Sequence, residues 1–262
     1  MVKQKTLQNK GGKGKMQEMK LNMDELTEVE KQFVAAACAD PEAPSGLFDM
    51  HDRKGWPNIR EKMRRTAYHE AGHFAARCFT QLELSHVLTL SIIPKNGSVG
   101  RMISERPFAE QMLPSYPPFL QRSNGRMLLL ENLAGMGAET ILVQSEGWES
   151  ILDYWQYNYC DEEEEGTDMF RAIRIAKIMV QPHMPVNRIL KLADKWTLEM
   201  LRMPAIWNAV ETIAGKLIEQ GEIANVNKEL SAIIYGSNFP SIFCFTKWKR
   251  RFLKCEVDII KV

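Results

Sequence analysis

The sequence predicts a mainly α-helical domain carrying one small β-hairpin or sheet, and three observations predict it. Apolar residues recur at helical spacing through the middle of the chain, as at Met127, Leu128, Leu130, Leu133, Ala134 and Ile141. A β-rich run at 86–93 is followed by Asn96-Gly97 and a second extended stretch at 98–104, which together make a hairpin signature. Prolines gather between such segments, most densely at Pro107, Pro114, Pro117 and Pro118.

Length and composition bound what that domain can be. At 262 residues and 45% hydrophobic content the chain can bury one good-sized core with extensions to spare. A net charge of +1 sets up no global field that selects nucleic acid or an anionic membrane. The five cysteines (Cys38, Cys78, Cys160, Cys244, Cys255) are odd in number and contain no CxxC pair, which suits reduced thiols and a cytoplasmic protein. No run of 18 apolar residues occurs, so no transmembrane segment is expected.

Three parts follow along the chain. Residues 1–57 open with a lysine-rich, glycine-containing arm that cannot bury apolar surface and is expected to be disordered. Next comes one amphipathic helix capped at Asp24, with Leu26, Val29, Phe33 and Val34 on its apolar face, and then a Pro/Gly linker. Residues 58–235 form the main domain: a helix at 59–79, the hairpin, a proline-rich loop, and a helix at 124–143. After those come a connection at 144–166, a helix from about Thr167, and two or three helices over 186–235 broken at Pro204 and Gly221. Residues 236–262 mix Phe239, Phe243, Phe245 and Trp248 with Lys247, Lys249, Arg250 and Arg251, and read as a tail packed through its aromatics with its cations in water.

Within the first helix of the domain stands His69-Glu70-Ala71-Gly72-His73, the HExxH pattern of zinc peptidases. On a helix, positions i and i+4 share a face, so His69 and His73 can aim two ring nitrogens at one Zn²⁺ ion. Glu70 then lies beside the metal as general base, placed to take a proton from an activated water. A third protein ligand is needed to leave the fourth position open. The extended HExxHxxGxxH pattern is absent, because Ala76 and Phe79 occupy its later positions. The remaining candidates are His86, Glu131, Glu139, Asp161, Asp168 and His183, and spacing does not choose among them, although Asp168 sits at a helix start. The small residues Ala71, Gly72, Ala75 and Ala76 allow a neighbouring helix to approach closely, and the one bearing Gly135, Gly137 and Ala138 is the partner expected. Glu139 reads either as a hydrogen-bond partner that fixes the tautomer of a ligand histidine or as a surface or capping residue.

The segment Thr66-Ala-Tyr-His-Glu-Ala-Gly-His73 resembles the peptidase domain of the FtsH family of ATP-dependent zinc proteases. The resemblance continues through His86-Val-Leu-Thr-Leu-Ser-Ile-Ile-Pro94 with Gly97 to Met102, through Leu133-Ala-Gly-Met-Gly-Ala-Glu139, and through Thr167-Asp-Met-Phe-Arg-Ala-Ile-Arg-Ile-Ala-Lys-Ile-Met-Val180. These four segments stand in the family's order. The resemblance implies an FtsH-peptidase-like helical fold, His69, His73 and Asp168 as the zinc ligands, Glu70 as catalytic base, and peptides or unfolded proteins as substrate.

This chain departs from that pattern in two ways. It contains neither a membrane-spanning helix nor a GxxxxGK[ST] phosphate loop, so it is expected to bind no ATP, and a separate ATPase or adaptor becomes a candidate partner. The connection at 144–166 is longer and more aromatic than the family's, with Trp148, Tyr154, Trp155, Tyr157 and Tyr159 before an acidic run. It reads as a cover for the cleft, a dock for a basic partner, or a solvated face. Along the hairpin, residues 88–92 are the expected edge for an extended substrate. A competing reading is a non-catalytic, regulatory peptidase relative that binds a partner; an intact Glu70 speaks against it, since a purely structural zinc site needs no base.

Overall fold

The computed structural model describes residues 25–41, 59–81, 87–104, 113–115, 117–144, 147–158, 167–180 and 185–226. The lysine-rich arm, the Pro/Gly linker, the 236–262 tail, His86, Asp161 and His183 lie outside the described residues. Seven helices occur among those described: α1 (Glu28–Ala39), α2 (Ile59–Gln81), α3 (Pro118–Leu142), α4 (Ile151–Asn158), α5 (Asp168–Met179), α6 (Val186–Leu201) and α7 (Pro204–Gln220). Three short strands, β1 (Val87–Ser91), β2 (Arg101–Ser104) and β3 (Glu222–Ala224), complete a mainly α architecture.

Helix α2 is the axis of the molecule because it is covered on nearly every side. Ala67, Ala71, Phe74, Ala75, Ala76 and Phe79 are all buried, which a helix achieves only when neighbours cover most of its circumference. Helix α3 covers one side and α7 another. The α2–α3 crossing is as close as the small residues predict: a Cβ added to Gly72 would stand 2.4 Å from the Ala134 carbonyl oxygen and 2.8 Å from the Ala138 Cβ. Helix α3 is a wall between two cores. Ala134 and Ala138 face the α2 side, while Leu129, Leu133 and Met136 face Met169, Ile175 and Leu198 of α5 and α6. Each fully buried Leu or Ile contributes about 1.5–3 kcal/mol.

Several boundaries differ from expectation for local reasons. Helix α1 is capped by Thr27, not Asp24: the Thr27 hydroxyl accepts from the Glu30 amide and the Glu30 carboxylate accepts from the Thr27 amide, a reciprocal capping box. Helix α3 begins at Pro118, six residues before the expected 124, because proline at the first helical position costs no hydrogen bond. Part of the 144–166 connection is itself helical, as α4. Pro204 starts α7, and Gly221 ends it with φ 75°, as expected of the two breakers.

The hairpin forms as Asn96-Gly97 predicts. Both residues have positive φ, 53° and 76°, and Lys95 pairs with Ser98 across them. A third strand corrects the expectation of helix after Gly221. Gly221 turns the chain so that β3 pairs antiparallel with β1 on the side away from β2, giving the order β2-β1-β3. That order corrects the expected substrate edge: Thr89, Leu90 and Ser91 already pair with Ala224, Ile223 and Glu222. Among the described strands the open edges belong to β2 and β3. Among the described residues no helix is long and apolar enough to cross a membrane.

Candidate metal centre

Helix α2 delivers His69 and His73 one turn apart, and their rings meet edge to face with centroids 4.6 Å apart. The two Nε2 atoms are 2.9 Å from each other. Into the same point comes Asp168, the first residue of α5, held there because Thr167 caps that helix by accepting from the Phe170 amide. Its Oδ2 lies 2.9 Å from His69 Nε2 and 3.0 Å from His73 Nε2. Of the six third-ligand candidates, Asp168 is the one the described structure brings to both imidazoles.

The tautomers follow from what the other ring nitrogens touch. His69 Nδ1 lies 2.5 Å from the Glu139 carboxylate, and His73 Nδ1 lies 2.6 Å from the Glu131 carbonyl oxygen. Both acceptors require a hydrogen on Nδ1, so both Nε2 atoms present lone pairs. Two lone pairs and a carboxylate oxygen within 3.0 Å of one another repel unless a cation, proton or metal, sits among them. The separations are a few tenths of an ångström below the ~3.3 Å edge of a tetrahedron built on ~2.0–2.1 Å zinc–ligand bonds. Space is left as well: a Cβ added to Gly135 on α3 would stand 2.4 Å from His73 Nε2 and 2.6 Å from His69 Nε2. The donor set and the glycine-lined gap therefore fit a small divalent cation.

Charges in the cluster shift in step. Burial works to lower the His69 pKa, but the hydrogen bonds its ring donates to Asp168 and Glu139 outweigh it and hold it well above the ordinary value; His73 is raised more moderately against the same penalty. Burial works to raise Asp168, yet the His73 charge and the His69 hydrogen bond hold it well below the usual carboxylate range. Glu139 is lowered in the same way, against burial, by His69, Tyr154 and Lys62. Glu70 behaves differently. Buried beside the imidazoles, it is raised above the ordinary value by desolvation. Gly100, at the start of β2, lies against it so closely that a Cβ there would come within 2.6 Å of Glu70 Oε1.

The remaining sequence candidates sort by contact. Glu139 partners His69, as one of its two readings expected, while the Glu131 side chain turns to Arg77 at 3.4 Å and only its carbonyl serves the site. Sequence reasoning missed the role of Tyr154. The sequence reads that residue as part of an aromatic connection that covers the cleft, docks a basic partner or faces solvent, whereas the structure buries the ring and directs its hydroxyl to Glu139 Oε2 at 2.9 Å. Trp148 packs edge-on against Tyr154, with ring centroids 5.8 Å apart. The signal available was weak: Tyr154 lies three residues after Ile151, on one helical face with it.

Compared with the models of known protein families and with curated proteins, the chain matches none.

Proposed function

We propose that this chain is a zinc metalloendopeptidase of the FtsH-peptidase type acting on peptides or unfolded proteins. One observation carries the reading: two imidazole lone pairs and a carboxylate converge beside a buried glutamate with a raised pKa. When bound, zinc supplies the positive charge that polarises a peptide carbonyl and acidifies a water molecule. His69, His73 and Asp168 would hold it, and Glu139 with the Glu131 carbonyl keeps both imidazoles in the ligating tautomer.

The proton traffic falls to Glu70. Its carboxylate accepts a proton from the attacking water and returns it to the leaving amine, and a pKa raised by burial brings it nearer the working pH for both tasks. Gly100 keeps the surface over this carboxylate free of a side chain at the point where β2 begins. An extended substrate is therefore best accommodated on the open edge of β2, next to Glu70, by main-chain pairing.

Metal analysis and casein hydrolysis on the wild type and Glu70→Gln test this reading. The wild type is expected to carry one zinc per chain and to lose activity to a chelator. Glu70→Gln is expected to keep its zinc and lose about 10²–10⁴-fold in kcat/KM. Undiminished hydrolysis by that variant, or zinc retention by a wild type that cleaves no unfolded protein, overturns it.

A further inference from the structure

Glu139 has two carboxylate oxygens, and its ability to orient His69 depends on both. With only Oε1 engaged, the group is free to rotate about its terminal bond and release the imidazole. The second oxygen is held by the Tyr154 hydroxyl at 2.9 Å, and both residues are buried, Tyr154 at 1% exposure and Glu139 at 4%.

The helix that carries Tyr154 is fixed in turn. Asp194 of α6, also buried, receives the Ser150 hydroxyl at 2.7 Å on one oxygen and the Ile151 amide at 3.1 Å on the other. Ser150 Oγ then accepts from the Asp153 amide at 3.2 Å. A neighbouring helix thus supplies the cap for α4, an eight-residue helix too short to be stable alone. Phenylalanine would fill the same space as Tyr154 but leave Glu139 Oε2 without this donor; Arg65 is the other polar group beside the phenol.

We propose that Tyr154 is a positioning residue for the metal centre: anchored through α4 to Asp194, its hydroxyl fixes the Glu139 carboxylate, which fixes the ring of His69. Helix α4 is on this account a brace inside the domain. The inference rests on the metal-centre reading given above. Tyr154 is not among the three side chains that converge on the metal position, and on this account it acts through Glu139.

The test is zinc affinity, measured by competition with a chromophoric chelator, for wild type, His69→Ala, Glu139→Gln, Tyr154→Phe and the Glu139→Gln/Tyr154→Phe double variant. Wild-type binding that His69→Ala abolishes is expected first; equal binding by those two overturns the metal centre itself, and this inference with it. Glu139→Gln is expected to weaken binding by about 10–100-fold and Tyr154→Phe by at least ~3-fold. In the Glu139→Gln background, Tyr154→Phe should add less than ~2-fold, because its partner is already altered. Wild-type affinity in Tyr154→Phe, or equal effects of that substitution in both backgrounds, overturns the positioning role while leaving the metal centre standing. If Tyr154→Phe does not fold, Ser150→Ala, which loosens the α4 cap and keeps the phenol, is expected to weaken zinc binding by a few fold, and unchanged affinity there overturns the proposal.

Discussion

A single methyl group at residue 135 would fill the space on which the proposed metal centre depends. The imidazoles facing Gly135 cannot swing aside cheaply, since each is held through its Nδ1, one by Glu139 and the other by the Glu131 carbonyl. Gly135→Ala is therefore expected to weaken zinc binding by more than about 100-fold. The clash strains the metal-free fold as well, offset in part by up to ~1 kcal/mol of helix propensity in α3, and circular dichroism of the metal-free variant separates a lost site from a lost fold. Wild-type zinc content in Gly135→Ala would contradict the geometry. At this scale, spacing alone made His69, Glu70 and His73 legible, because their relation is local to one helix. Asp168 stands 99 residues from His69 along the chain, so periodicity left it among six candidates and only the resemblance singled it out. Tyr154 stayed hidden because its role is created by α4 packing beneath α3, and nothing in the residue type distinguishes a core phenol from one that orients a carboxylate.

Between elements, the closest approach is that of α2 and α3, where helix backbones meet at Gly72. An alanine there places its Cβ 2.4 Å from a main-chain oxygen, which no rotamer can relieve. Gly72→Ala is expected to cost about 1–3 kcal/mol by forcing the helices apart. Gly215, on α7, has open space where a Cβ would go, so Gly215→Ala should stabilise by roughly 0.5–1 kcal/mol. Thermal melts of the two metal-free variants check the pair, and shifts of the same sign would refute the packing argument. The small-residue pattern had made the α2–α3 contact readable, and Asn96-Gly97 had done so for the hairpin, since each depends on local steric rules. Strand β3 was not readable. Three residues are too few to show an alternation, and Glu222–Ala224 is a strand only because Gly221 directs it against β1. That pairing in turn closes the edge that the sequence had suggested for substrate.

At the scale of the molecule, α1 fastens three pieces around the centre. Glu30 binds Arg60 at the start of α2 at 2.6 Å, Asp40 accepts from the Gly97 amide of the hairpin turn at 2.8 Å, and Val29 approaches the Gly221 junction before β3. The proposed ligands come from α2 and α5, so any cation that joined them would also join the two cores that α3 separates. Metal and proton compete for this place, and the sign of the competition follows from the shifts. In the metal-free protein the raised His69 and His73 pKa values mean that their contribution to stability is fully present below the ordinary histidine value of 6.5 and is lost as pH rises through the raised values. Asp168, held low, contributes above its ordinary 3.8 and loses that contribution only as pH falls through its lowered value. Metal-free protein should therefore gain most from this cluster in weak acid, between those two ordinary values, and its Tm should fall as the medium is made alkaline. Zinc would replace the protons and needs the imidazoles deprotonated, so its affinity is expected to rise as pH climbs from weak acid through the raised histidine values. At zinc ~1,000-fold above Kd the stabilisation is about 4 kcal/mol, roughly 10 °C in Tm for a domain of this size. The gap between zinc-loaded and chelator-treated melts is thus expected to be small near pH ~5 and to widen steadily towards pH ~8.5, and a gap independent of pH would show that the cation, if bound, is not held by these two histidines.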